Sequence, residues 1–136
     1  MKGAPVEVLQ GVPLFADLNK QEVKRIAGVF KERRFPAGET VVQQGSGGAA
    51  FYVILSGEAT VFVAGEERRT LKPGDYFGEL ALIDEGTRTA TITASSDLVC
   101  SGLTFWDFRP LVEQNGVIGW KLLQSLVKIY RAAEEP

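Results

Sequence analysis

The chain has 136 residues, of which 45% are hydrophobic and 24% charged, and these values fit one globular domain. Lysines and arginines number 15 against 17 aspartates and glutamates, and the resulting net charge of −2 argues against a nucleic-acid binder. Because histidine is absent, serine–histidine and cysteine–histidine nucleophile pairs and histidine-ligated metal sites are excluded, so we expect neither an enzyme nor a metal or cofactor. One cysteine allows no internal disulfide, and neither a signal peptide nor a membrane segment is visible, so we expect a cytoplasmic location.

The first part of the chain, residues 1–34, predicts a helical segment. Three apolar residues near its start are expected to pack onto the rest of the chain: Val12, Leu14 and Phe15. Asn19 followed by Glu22 resembles a capping box, and apolar residues then recur at helical spacing, which predicts a helix over 19–31. The basic cluster after it suits the negative end of that helix: Lys31, Arg33 and Arg34.

Residues 35–103 consist of short β-branched and aromatic runs separated by glycine-bearing turns at intervals of about ten residues. This spacing predicts an antiparallel barrel or sandwich. The runs that predict strands are 40–43, 51–55, 59–63, 68–71, the second half of 77–94, and 98–103. The glycine-rich segment 45–50 lacks the lysine of a phosphate-binding P-loop and is predicted to be a hairpin loop.

The remaining residues, 104–134, predict two helices, the first with Thr104 as its N-cap and Asp107 at the third position. The second, over 117–133, carries two apolar stripes: Ile118, Leu122, Leu126, Ile129 and Ala133 on one side, and Trp120, Leu123, Val127 and Tyr130 on the other. A helix that is apolar on two sides has a second surface to bury. That second surface has three alternative explanations: it contacts a partner helix, it contacts a ligand, or it is part of a broad core face.

The stretch FGELALIDEGTRTATITA, residues 77–94, suits an anionic ligand. Its start predicts one helical turn, and the first N–H groups of such a turn have no internal partner and attract anions. Gly78 allows close backbone approach, Arg88 offers a planar fork for a phosphate, and Glu79 can accept a hydrogen bond from a hydroxyl group. These residue types predict a nucleotide monophosphate ligand. The alternative is an ion pair between Glu79 and Arg88 that only holds the turn in place.

The same stretch is very similar to the phosphate-binding cassette of cyclic nucleotide-binding domains. These domains occur in cAMP- and cGMP-dependent protein kinases, cyclic-nucleotide-regulated channels and catabolite-activator-like regulators. Further segments resemble the family in the same order, within about residues 12–133: 35–39, 44–45, 51–54, 56–58 and 72–79. The resemblance implies a single domain over 1–136 that is mainly β with flanking helices. It would hold an eight-stranded antiparallel, jelly-roll-like β-roll at 35–103, with an N-terminal helix and two C-terminal helices.

The resemblance also implies a ligand site. Glu79 would accept the ribose 2′-hydroxyl, and Arg88 would pair with the cyclic phosphate. The full set that it implies is Val61 and Leu71 on the purine, backbone groups of Gly78, Leu80, Ala81 and Ala90 around phosphate and ribose, and in addition Phe77, Glu79, Arg88 and Thr89. Thr89 would bond either the phosphate or the 2-amino group of a syn guanine, so cAMP and cGMP both remain open, and cAMP is the interpretation we favour.

In the family the last helix closes over the base or forms a dimer seam. Tyr130 is therefore a candidate stacking cap and Arg131 a candidate polar lid, with exposed surface residues as the alternative. The implied function is a cAMP or cGMP sensor that moves its C-terminal helix toward an unidentified effector protein or fused effector domain, with a homodimer through that helix as a further expectation. The alternatives are a scaffold without ligand and a cupin-type metalloenzyme, against which the lack of histidine argues.

Overall fold

The fold is taken from a computed structural model, which describes residues 3–45, 50–84 and 89–134. Within these ranges the helices are α1 (Val6–Gln10), α2 (Lys20–Ala27), α3 (Phe105–Glu113) and α4 (Gly116–Glu134). The strands are β1 (Lys31–Phe35), β2 (Thr40–Val42), β3 (Ala50–Ser56), β4 (Ala59–Val63), β5 (Glu66–Leu71), β6 (Tyr76–Phe77), β7 (Thr91–Ala94) and β8 (Leu98–Thr104). Two short 3-10 helices complete the description: Pro13–Phe15, and Glu79–Leu82, which we call the cassette turn.

The strands form two four-stranded sheets, with the orders β1-β8-β3-β6 and β2-β7-β4-β5. Every strand pair is antiparallel. The eight-stranded antiparallel β-roll with helices at both ends, expected from the sequence, is therefore confirmed.

Two buried clusters meet at β3, which is buried on both of its faces. The first fills the space between the two sheets: Phe35, Tyr52, Ile54, Ala59, Leu71, Phe77, Ile92, Ala94, Leu98 and Cys100. The second joins the outer face of β3 and β8 to the helices, and it includes the predicted apolar group Val12, Leu14 and Phe15. The Cys100 thiol lies in the first cluster, where burial raises its pKa to about 12, so it behaves as a small apolar side chain.

The predicted helix over 19–31 is too long, and the basic cluster was assigned to the wrong kind of element. Helix α2 ends at Ala27, with Lys24 and Arg25 in its last turn. The cluster Lys31, Arg33 and Arg34 belongs to β1, which pairs with β8 at the edge of its sheet. Charged residues are common on edge strands because they prevent pairing with other chains, so β1 lacks the alternation that identifies a strand. The β-roll therefore begins at residue 31 and not at 35.

The predicted helix caps are present in the structure. The Glu22 N–H donates to Asn19 Oδ1 at 2.9 Å, and the Asn19 N–H donates to Glu22 Oε1 at 2.8 Å, which completes the capping box of α2. The Asp107 N–H donates to Thr104 Oγ1 at 3.1 Å at the start of α3. Local sequence signals thus fix where both helices begin.

Helix α4 buries the first part of one apolar stripe and exposes the other stripe. Ile118, Leu122 and Ser125 are buried, whereas the second stripe is at least half exposed: Trp120, Leu123, Val127 and Tyr130. Polar contacts attach α4 to the N-terminal segment: the Asp17 N–H donates to Ser125 Oγ at 3.3 Å, Lys128 Nζ lies 2.7 Å from Asp17 Oδ1, and Lys121 Nζ lies 2.8 Å from Glu22 Oε1.

Neither α4 nor any other helix in the described ranges has the length and apolar character needed to cross a membrane.

Candidate functional site

An open cavity of about 430 Å³ lies between the inner face of one sheet and the cassette turn. Its size falls within the range of small-molecule and cofactor sites. The lining residues are Val42, Val61, Arg69, Phe77, Gly78, Glu79, Leu80, Ala81, Asp84, Thr89, Ala90 and Ile92.

The sheet wall of the cavity is one row of side chains across β2, β7, β4 and β5. Residue pairing sets Val42 opposite Ile92, Ile92 opposite Val61, and Val61 opposite Arg69. Paired residues point to the same face of a sheet, so these four side chains share the inner face. Three of them are apolar and β-branched, and the row ends in an arginine. This wall can hold a flat apolar group against its surface.

The cassette turn forms the opposite wall. Gly78 precedes it with φ +84°, a left-handed conformation that favours glycine, and the Ala81 N–H donates to the Gly78 carbonyl at 3.0 Å. Glu79 follows immediately, is only partly exposed, and lines the cavity with its neighbours. A Gly-Glu pair at this point therefore turns the chain and sets a carboxylate at the edge of the cavity.

The chain returns to the cavity at Thr89 and Ala90, just before β7. Arg88 lies outside the described residues, so its predicted pairing with a phosphate, and the alternative ion pair with Glu79, both stay predictions. The central part of the predicted hairpin loop, residues 46–49, also lies outside the described residues.

The structure brings most of the predicted site residues together in this cavity. Those that line it are Val61, Phe77, Gly78, Glu79, Leu80, Ala81, Thr89 and Ala90. Leu71 is not among them, because it pairs with Ala59 one step deeper in the β-roll and is 1% exposed. Tyr130 and Arg131 are also elsewhere: both are exposed, and α4 lies along the N-terminal segment. In this conformation neither residue covers the cavity.

Four lining residues are absent from the predicted set: Val42, Arg69, Asp84 and Ile92. Val42 and Ile92 occur in runs that predict strands, and alternation from Val61 across the sheet would have identified them once the strand pairing was known. Arg69 gave no signal, because an arginine in an exposed β-hairpin is usually a solvated residue. Its place in the cavity follows from register, which the sequence alone does not supply.

Each wall of the cavity has a charged residue that acts on the pKa of Tyr76, the residue before the stretch 77–94. Burial raises the pKa of the Tyr76 hydroxyl, the Glu79 carboxylate raises it further, and the Arg69 guanidinium opposes the rise. Glu79 and Arg69 are thus close enough to act on the same group from two elements. Among the described residues, no cluster of three or more cysteines, aspartates or glutamates is arranged to hold a metal ion.

Comparison with known proteins identifies relatives of the chain. The family model described as cyclic nucleotide-binding domain matches residues 32–115. The chain is 40% identical over 106 residues to a cAMP-dependent protein kinase regulatory subunit of Emericella nidulans, covering 76% of this chain and 26% of that protein. It is 33% identical over 131 residues to a cyclic AMP receptor protein of Thermus thermophilus, covering 93% of this chain and 61% of the relative. The chain therefore spans about a quarter of the kinase subunit and less than two thirds of the receptor protein.

Solved structures that superimpose on the chain include regulators of the same kind as the sequence relatives. The N-terminal domain of a transcriptional regulator from Streptomyces coelicolor superimposes with a TM-score of 0.82 at 27% identity, covering 93% of this chain and 94% of that one. The Thermus thermophilus catabolite activator protein gives a TM-score of 0.68 at 33% identity, covering 90% of this chain and 60% of that one. The chain belongs to the cyclic nucleotide-binding domain family.

Proposed function

We propose that this chain is a regulatory module that binds a 3′,5′-cyclic nucleotide and carries no catalytic activity. The observation that supports it most is the cavity, in which a carboxylate, a close backbone turn and an apolar wall face one another. The names of the two sequence relatives specify cAMP, which makes cAMP the first ligand to test. The expected location is the cytoplasm.

In the proposed complex each wall takes one part of the ligand. The apolar row from Val42 to Val61 carries the purine, because removing the flat face of an aromatic ring from water against apolar side chains is favourable. Glu79 accepts the ribose 2′-hydroxyl, since an ionised carboxylate only accepts hydrogen bonds. Arg88 pairs with the cyclic phosphate, together with backbone groups of the cassette turn and of Ala90.

The signal passes from the cassette turn to α4. A second, largely apolar groove of about 320 Å³ lies between them, and Leu82 and Ile83 line it together with Phe108 of α3 and Leu122 of α4. The cassette turn is therefore a wall of both the cavity and the groove. A ligand that favours one position of this turn also favours one position of α4, which is the requirement for coupling. An effector protein, or a second copy of the chain, reads that position.

Calorimetric titration with cAMP, cGMP and 5′-AMP tests the proposal. We expect at least one cyclic nucleotide to bind with a dissociation constant in the micromolar range or below. The affinity for 5′-AMP should be far weaker. Replacing Arg88 by alanine should cost about 2–5 kcal/mol of binding free energy, because it removes the partner of a charged group. Glu79→Gln should cost about 1–1.5 kcal/mol, because the amide oxygen still accepts a hydrogen bond from the hydroxyl group but the bond is neutral and weaker.

Glu58→Gln serves as the control, because Glu58 is an exposed residue outside the cavity. It should bind the cyclic nucleotide as the unmodified chain does. If none of the three nucleotides produces heat or raises the melting temperature, the sensor function is wrong. The chain would then be better explained as a protein-interaction scaffold, which would retain its partner affinity after Arg88→Ala.

A further inference from the structure

We propose that the groove between the cassette turn and α4 is a second ligand site, which binds a single-chain amphiphile with an apolar tail and a carboxylate head, such as a medium-chain fatty acid. The Arg109 guanidinium holds the head at the rim of the groove. This proposal goes beyond the cyclic-nucleotide function and does not depend on it, because the groove and the cavity have no lining residue in common.

The groove has the size and composition of a small-molecule site. Its volume of about 320 Å³ lies within the range of such sites. All of its lining residues are apolar or glycine, apart from Arg109 and Glu113. Sites for small molecules are typically lined in this way, with a few polar groups that fix the orientation of the ligand.

The apolar residues of the groove form a buried floor and an open rim. Leu82, Phe108 and Leu122 come from three different elements and are at most 4% exposed. Ile83 and Leu123, which also line the groove, are 44% and 54% exposed. An apolar chain laid on this floor removes its own surface and that of the rim from water, which is favourable. The groove is therefore suited to the tail of an amphiphile.

Arg109 gives the rim its preference for an anionic head. Its Nε donates to Glu113 Oε2 at 3.2 Å, one turn later on α3. Within the part of the chain that the structure describes, this is the only bond that Arg109 makes, so the two terminal amino groups of its planar fork remain available. Such a fork binds a carboxylate through two parallel hydrogen bonds.

Glu113 is the one charged group of the groove that opposes a carboxylate head. Arg109 and Glu113 are both more than half exposed, so their ion pair is weak and does not prevent the guanidinium from binding a second carboxylate. An ammonium head could pair with Glu113, but only as a compact point charge without the two-point geometry of the fork. The rim therefore favours a carboxylate over an ammonium group.

Calorimetric titration with octanoate, decanoate and decylammonium, each kept below its micelle concentration, tests the proposal. Each buried methylene group strengthens binding about 4-fold, so decanoate should bind roughly 15-fold more tightly than octanoate. Decylammonium should bind about 5-fold more weakly than decanoate. Arg109→Gln should weaken decanoate binding about 5-fold, and Glu113→Gln should strengthen it about 2-fold, because the two variants remove opposite charges from the rim.

Arg131→Gln is the matched control, because Arg131 is an exposed arginine of α4 that does not line the groove. It should bind decanoate as the unmodified chain does. The proposal is overturned if decanoate produces no heat, if octanoate binds as tightly as decanoate, or if decylammonium does so. It is also overturned if Arg109→Gln binds decanoate no more weakly than Arg131→Gln. None of these results affects the cyclic-nucleotide function, which the separate titration with cAMP, cGMP and 5′-AMP tests.

Discussion

Gly57 connects β3 to β4 and tolerates almost no side chain. Its φ is +85°, and a Cβ built there would lie 2.1 Å from the carbonyl oxygen of Asp97. The Gly57→Ala variant must therefore both hold a left-handed conformation and displace backbone. We expect a loss of about 2–4 kcal/mol in the free energy of unfolding, from strain and from the clash together. Urea denaturation followed by circular dichroism measures it.

Gly65 supplies the control for that prediction. It has a similar φ of +81°, but a Cβ there would meet no atom within 4 Å. Gly65→Ala should cost only the conformational penalty of about 1–2 kcal/mol. Equal losses in the two variants would show that the approach of Asp97 to Gly57 has no energetic role.

Single residues also show the limit of what the sequence could predict. Gly78 and Glu79 could be predicted from the sequence because their signal is local. A glycine stands directly before a helical turn, and an acidic residue begins that turn. The resemblance assigned Leu71 to the purine, but Leu71 does not line the cavity, whereas Arg69 lines it and was not predicted. The sequence alone does not reveal which of two positions on one face of a strand lies at the cavity and which lies deeper in the core. The pairing of β5 with β4 decides this, since Arg69 lies opposite Val61 and Leu71 opposite Ala59.

Whole elements were predicted well where capping or alternation is strong. The starts of α2 and α3 follow from Asn19 and Thr104, whose side chains accept the expected N–H groups. The strands β1 and β6 gave no such signal, one because it is a charged edge strand and the other because it has two residues. Both strands are held by pairing with β8 or β3, which is a tertiary contact.

The contact between α2 and α4 makes stability depend on pH. A hydrogen bond from the Lys121 ammonium group, and then one from the Asn19 N–H, lower the pKa of Glu22 below its ordinary value of 4.5. A carboxyl group with a lowered pKa stabilises the fold above about pH 4.5, and this contribution is lost as the pH falls through the lowered pKa. Glu22→Gln keeps a capping residue but removes the charge. At pH 7 it should be about 0.5–1 kcal/mol less stable than the unmodified chain.

The prediction is checked by melting both proteins between pH 7 and pH 3. The difference in melting temperature should be a few degrees at pH 7 and should shrink as the pH falls below about 4.5. Glu113→Gln is the control, because its ion pair with Arg109 at 3.2 Å is well exposed and should contribute little at any pH. A difference that stays the same from pH 7 to pH 3 would mean that Glu22 acts through packing and not through its charge.

At the scale of the whole molecule, the cassette turn lies between the cavity and α4, and α4 in turn contacts the N-terminal segment. One side of α4 is attached to the N-terminal segment by Asp17 and Glu22, and Leu122 reaches the groove that Leu82 also lines. Under the proposed function, a displacement of the cassette turn changes the position of α4 through this groove. The opposite side of α4 remains for a partner.

We propose that this partner is a second copy of the chain, and the exposed stripe on α4 supports it. Trp120, Leu123, Val127 and Tyr130 follow one another at intervals of three, four and three residues, which is the heptad spacing of a coiled-coil seam. Tyr130 would then serve the seam and not a lid. Sedimentation equilibrium should give twice the chain mass, and Val127→Glu should give a monomer because a charge would be buried in the seam. Ala132→Glu puts the same charge on an exposed position outside the seam and should remain dimeric. A monomeric unmodified chain, or equal dissociation of the two variants with nucleotide binding intact, would rule out this seam.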